Sequence, residues 1–189
     1  MISAQVQLLK ADITAKSVSG QPLFGLQDTG IAAYYNTVTA TDIWRTDAPV
    51  DAILDSIDWS KYTPADAADT TVIFTNRMLA IQTKQMNLQN MIIGRDFLNT
   101  AKPNIRAGLR DAVIAVPAGV SGASVSPGGP GGATVLAICL RKATNVEVVL
   151  STTTNGTTGP TTARVPVYTE SAVSVSAQLI SDILAGLVN

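Results

Sequence analysis

The longest helical pattern in the chain lies in DTTVIFTNRMLAIQTKQMNLQNMII, residues 69–93, and it constrains the fold more than any other stretch. Phe74, Met78, Ile81, Leu88 and Ile92 recur at spacings that place them on one side of a helix, so the segment must bury a stripe against a neighbour. The other side carries Asn76, Thr83, Asn87 and Asn90, with glutamines nearby. Arg77 and Lys84 are the only charges between Phe74 and Ile92. Solvated helix faces are normally rich in lysine and glutamate. A face of amides suits hydrogen bonding to a partner, and it suits plain hydration equally.

Further helical patterns surround this one. Val6, Leu9 and Ile13 line SAQVQLLKADITAK, with Ser3 as its N-cap, and Asp28 opens DTGIAAYYN. TVTATDIWRT is β-branched and reads as extended chain. A helix over APVDAILDSI holds Pro49 in its first turn. In LNTAKPNIRAGLRDAVIAVP, Thr100 is the expected N-cap and Pro103 fits the first turn. Ile105, Leu109, Val113 and Val116 line its apolar side, and Arg106 and Arg110 share another part of the surface. GATVLAICLRKATNVEVVL is predicted as one helix with a stripe of Leu136, Cys139, Ala143, Val146 and Leu150. ARVPVYTE is a short strand that Pro166 confines to an edge, and it is expected to pair with the extended chain near DIWR. SVSAQLISDILAGLVN closes the chain as a helix capped by Ser174 or Ser176. The predicted fold is therefore mostly α: a compact helical bundle with a minor β element and a C-terminal helix. It forms one domain over 1–189, with a flexible glycine-rich loop at 121–132 and a polar loop plus edge strand at 151–168.

Composition narrows the chemistry. Only 14% of the 189 residues are charged and the net charge is −1, whereas an ordinary soluble domain carries roughly 25% charged residues. A surface this poor in charge tends to associate. The chain has no histidine, which removes the usual general base and the commonest metal ligand. Cys139 is its sole cysteine and lies on an apolar stripe, so it reads as a buried structural thiol. There is no apolar run long enough to span a membrane, no basic region ahead of an apolar one to mark a signal peptide, and no cluster of basic residues to mark a nucleic-acid footprint.

Three local motifs fall short of a ligand site. SVSPGGPGGATVLAICLRK, residues 124–142, resembles a phosphate-binding loop, but Gly132 is followed by ATVLAICL and the first cation is Arg141, more than two helical turns in. No buried strand precedes these glycines, as a dinucleotide fingerprint requires. Asp47, Asp51 and Asp55 are spaced by four and could share a helix face and bind a cation, yet they lack the glycine and terminal glutamate of a calcium loop. They read instead as capping and solvating residues. The NGT at 155–157 matches a glycosylation acceptor without a secretion signal to support it. Trp44 and Trp59 flank the aspartate-rich helix and read as anchors.

IWRTDAP, IDWSKY, NTAKPNIRAGL, LRKATNVEVVL and TTARVPVYTESAVSVSAQLI follow one another in this order. In them the chain resembles a group of small virion structural proteins of tailed bacteriophages, with a W-R-T segment, a D-W pair, an N-x-R-x-G helix, an R-x-A-T-x-x-E helix and a strand before the last helix. The matching segments run from about Asp28 to Ile183, and the chain departs from the pattern at its glycine-rich insertion, 121–132. The resemblance implies a non-enzymatic virion component without a cofactor, located in the particle and, during assembly, in the host cytoplasm. It implies no particular position in the virion; the first expectation is a head–tail connector, such as an adaptor ring between portal and tail. The alternatives are a head decoration or minor capsid protein, or an assembly factor absent from the finished particle. Expected partners are portal, tail or capsid subunits and further copies of the chain, with no membrane and no specific nucleic acid. Asn76, Thr83, Asn87, Asn90, Arg106 and Arg110 are the candidate contact residues, and no catalytic or metal-binding residue is expected.

Overall fold

A computed structural model describes residues 3–57, 59, 74–113, 132–153, 163–166 and 173–186. Among them, 57% are helical and 17% lie in strands. The chain is thus an α/β mix with a four-stranded mixed sheet, which corrects the expected mostly helical bundle. Its contacts group it into two compact units: Met1–Ile43 with Lys142–Asn155 and Thr161–Asn189, and Trp44–Arg141 with Gly156–Pro160.

The first unit begins with α1 (Ser3–Lys16) and α2 (Asp28–Asn36), followed by strand β1 (Val38–Trp44). Val6, Leu9 and Ile13 of α1 are buried, as their spacing predicts. Late in the chain come β4 (Leu140–Thr144), α7 (Asn145–Val149), β5 (Ser151–Thr153), β6 (Arg164–Pro166) and α8 (Ala177–Leu184). The sheet order is β4-β1-β6-β5. Ile43 of β1 pairs in parallel with Arg164 of β6, which is the pairing expected between DIWR and ARVPVY. On its other side β6 runs antiparallel to β5, with Ser151 opposite Pro166. β6 is therefore an inner strand and not the expected edge. Proline is tolerated because the β1 register is at Arg164, two residues before Pro166, which has no N–H to give.

The largest departure from expectation is β4. Cys139, Ala143, Val146 and Leu150 are all buried, so the stripe is correct as burial for these four; the side chain of Leu136 lies outside the described residues. The backbone is not one helix, however, but helix, strand and helix in turn. The break falls at Thr144, whose N–H donates to the Glu147 carboxylate (3.0 Å), one half of a capping box that starts α7 afresh. Glu147 also accepts from the Val173 N–H at 3.4 Å, which holds the approach to α8. Asn145 donates through its side chain to the Tyr34 carbonyl (2.9 Å) and through its backbone to the Thr37 carbonyl (3.0 Å). Asn36 closes a two-way link with Val175, donating to its carbonyl at 2.7 Å and accepting from its N–H at 2.9 Å. Ser176 caps α8 by accepting from the Leu179 N–H (3.1 Å).

The second unit holds β2 (Ala48–Pro49), α3 (Val50–Asp55), α4 (Phe74–Ile92), β3 (Phe97–Leu98), α5 (Pro103–Val113) and α6 (Gly132–Cys139). β2 and β3 pair antiparallel. α4 packs on α5, burying Ile81 and Leu88 from the former and Leu109 and Ala112 from the latter. The helices approach closely at Gly108, where an added Cβ would lie 2.5 Å from the Met91 methyl group. Thr100 is fully buried but does not cap α5, which starts three residues later. Its hydroxyl lies 2.6 Å from the Arg45 carbonyl and 3.1 Å from the Cys139 carbonyl, and so ties two passes of the chain together. Asp47 precedes α3, so it does not share a helix face with Asp51 and Asp55; it pairs instead with Arg45 (3.2 Å).

Candidate functional site

The candidate contact residues separate into exposed and buried sets. On α4, Thr83, Asn87 and Asn90 are exposed. Asn76 lies in the same helix, with its side chain outside the described residues. The Thr83 hydroxyl donates back to the Leu79 carbonyl (2.8 Å), leaving its acceptor side outward. On α5, Arg110 is exposed, but Arg106 is only 7% exposed. Arg106 donates to the Thr100 and Ala101 carbonyls (2.8 and 2.7 Å), and its guanidinium lies 4.8 Å from the centre of the Trp44 ring. Desolvation holds its pKa below the usual arginine value. Arg106 is thus an internal brace, which corrects its expected place beside Arg110 on the surface. The sequence held the signal: Arg106 lies three residues before Leu109 and therefore on the apolar side of α5.

Two large apolar side chains of α4 and one of the residue that follows it, whose N–H still donates to the Gln89 carbonyl (2.9 Å), were left aside by the sequence reading. Leu79, Met86 and Ile93 are 53%, 59% and 75% exposed. They are spaced by seven, and residues seven apart on a helix drift by only ~20°, so they form one ridge. Thr83 and Asn90, each four residues beyond a ridge residue, flank it on one side. Gln82 and Gln89, each three beyond, flank it on the other, and both are exposed. Lys84, the only charged residue of α4 with a described side chain, is buried; it donates to the backbone carbonyl and the carboxylate of Asp111. Among the described side chains, the outer face of α4 carries no charge, and an apolar ridge lies between two rows of hydrogen-bonding side chains.

The remaining sequence candidates have structural surroundings. Cys139 is buried, and that burial pushes its thiol up to about 12 against the opposing charge of Arg45, so it stays protonated at neutral pH. Trp44 is buried, whereas Trp59 is half exposed and donates to the Leu54 carbonyl (3.2 Å). The motif residues Trp44, Arg45, Arg106, Thr144 and Glu147 all act within the fold through the contacts described above. The glycines before α6 and the NGT at 155–157 lie outside the described residues. Among the described residues no helix is long and apolar enough to cross a membrane, and no group of three or more histidine, cysteine, aspartate or glutamate residues could hold a metal ion. Comparisons with family models, curated proteins and solved structures found no match to this chain.

Proposed function

We propose that this chain is a non-enzymatic, repeated structural subunit of a tailed-phage virion, in the manner of a head–tail connector or adaptor ring, and that it meets its neighbours through the outer face of α4. The observation that carries the contact surface is the uncharged ridge of Leu79, Met86 and Ile93 between its rows of amides and hydroxyls. Three large apolar side chains aligned on one face of a helix with no charge among them give that face the composition of a contact surface. Side chains that hydrogen-bond without charge let identical subunits approach without like-charge repulsion. The virion assignment rests on the resemblance in the W-R-T, N-x-R-x-G and R-x-A-T-x-x-E segments, and a charge-poor chain without histidine is in keeping with it.

Quantitative mass spectrometry of purified particles tests the assignment. A small fixed number of copies supports a connector at one vertex. A number close to that of the major capsid subunit would make it a head protein. Absence from the particle would refute a virion role.

A further inference from the structure

We infer that the outer face of α4 binds the same face of a second copy of this chain, antiparallel, about a two-fold axis through Met86. The inference rests on the reading of that face as a contact surface and names its occupant. The ridge is symmetric about its middle residue: Leu79 and Ile93 are aliphatic and lie seven residues to either side of Met86. Turning one helix end over end and laying it on the other sets Met86 against Met86, and Leu79 against Ile93 of the second copy. That rotation keeps each flank on its own side, so Gln82 meets Gln89 of the second copy and Thr83 meets Asn90. Every flanking pair can then donate and accept without charge. A surface that complements itself in this way makes an isologous contact.

The contact is also limited in strength. From residue 79 to 93 the ridge is ~21 Å long and about one helix diameter, ~10 Å, wide. Such a strip falls well short of the ~800 Å² per partner of a stable interface. Pairing is therefore weak in dilute solution and becomes significant where copies are held close together, as in an assembly. A two-fold contact closes on itself and makes pairs, so a ring requires a second, different contact in addition.

Charge exchange across the two flanks tests both the partner and the direction. In an antiparallel pair, Gln82→Lys combined with Gln89→Glu creates two opposite-charge contacts; in a parallel pair the two flanks exchange sides, each glutamine position faces the Thr83 and Asn90 flank of the second copy, and no charged contact forms. Sedimentation velocity over a concentration series should show that this double variant dimerises at roughly tenfold lower concentration than wild type, a gain of about 1.4 kcal/mol. Gln82→Lys with Gln89→Lys should abolish dimerisation while circular dichroism stays unchanged. As a second measurement, Met86→Cys in a Cys139→Ala background should form a disulfide-linked dimer under mild oxidation. The inference is overturned if the Lys/Glu variant associates no better than the Lys/Lys variant, or if Met86→Cys stays monomeric. The two readings fail separately. Loss of the dimer with α4 still required in the particle assigns the face to another virion protein. A dimer in a protein that is absent from particles keeps the inference and removes the virion role.

Discussion

Replacing Arg106 with methionine tests whether this cation is a brace inside the second unit or a surface contact. Methionine matches most of the length of the side chain but removes every donor. The loss begins with two hydrogen bonds from a charged group, to the Thr100 and Ala101 carbonyls, each worth roughly 1.5–3 kcal/mol. The stacking against Trp44 at 4.8 Å adds about 1 kcal/mol. Opposing this, the variant no longer has to desolvate a cation, which returns several kcal/mol. The two carbonyls decide the balance, since each buried acceptor left without a partner costs about 1–3 kcal/mol. The expected net loss is about 3 kcal/mol. In urea, with a slope of roughly 1–3 kcal/mol per molar, that lowers the unfolding midpoint by between about 1 and 3 M. Arg106→Lys keeps the charge and one donor but loses the planar stack, so it should fall between methionine and wild type. An Arg106→Met midpoint within the ~0.5 kcal/mol scatter of surface substitutions would refute the brace.

Two further outcomes follow from the same structure. Leu109→Ala should cost roughly 2–5 kcal/mol, because Leu109 is buried where α5 packs on α4; an unchanged denaturation midpoint would contradict that packing. Stability should also fall at alkaline pH. Burial raises the folded-state values of Cys139, up to about 12, and of Tyr35, whose hydroxyl also donates to Asp12 (2.7 Å). Raised values bind the proton more tightly in the folded state, so this stability is complete below the unfolded values near 9 and 10 and declines above them. Each group contributes a slope of about 1.4 kcal/mol per pH unit at most. Cys139→Ala should flatten the decline that begins near pH 9, as measured by denaturation midpoints from pH 8 to 11.

Much of the architecture could be read from apolar spacing. α1 buries Val6, Leu9 and Ile13 at the expected intervals, α4 buries Ile81 and Leu88 of its expected stripe while Met78 and Ile92 are only partly buried, α5 buries Leu109, α2 and α8 are helices where expected, and the β-branched run before Trp44 is a strand. Spacing failed where burial and conformation part company. Cys139, Ala143, Val146 and Leu150 follow a helical interval, yet a strand lies between them, because a chain that turns from helix to strand and back can bury the same residues. The T-x-x-E of Thr144 and Glu147 was the available start signal for α7. The two-residue strands β2 and β3 are too short to show any alternation. At the candidate surface, attention to the amides identified Thr83, Asn87 and Asn90 but passed over Leu79, Met86 and Ile93, because a ridge of exposed aliphatics cannot be told from core by composition alone. Their spacing of seven, offset from the stripe of Ile81 and Leu88, was the signal.

The most direct test of the account is incorporation of an α4 variant into particles. Asn87→Glu with Asn90→Glu adds two charges to the outer face of α4, at exposed positions where glutamate is well tolerated. Buried unpaired in a contact, these charges would cost several kcal/mol at every copy. Purified particles carrying the double variant should lack the protein, as quantified by mass spectrometry against the major capsid subunit, while the soluble variant melts like wild type. Wild-type incorporation of a normally folded variant would contradict the account and leave the outer face of α4 as a solvated surface.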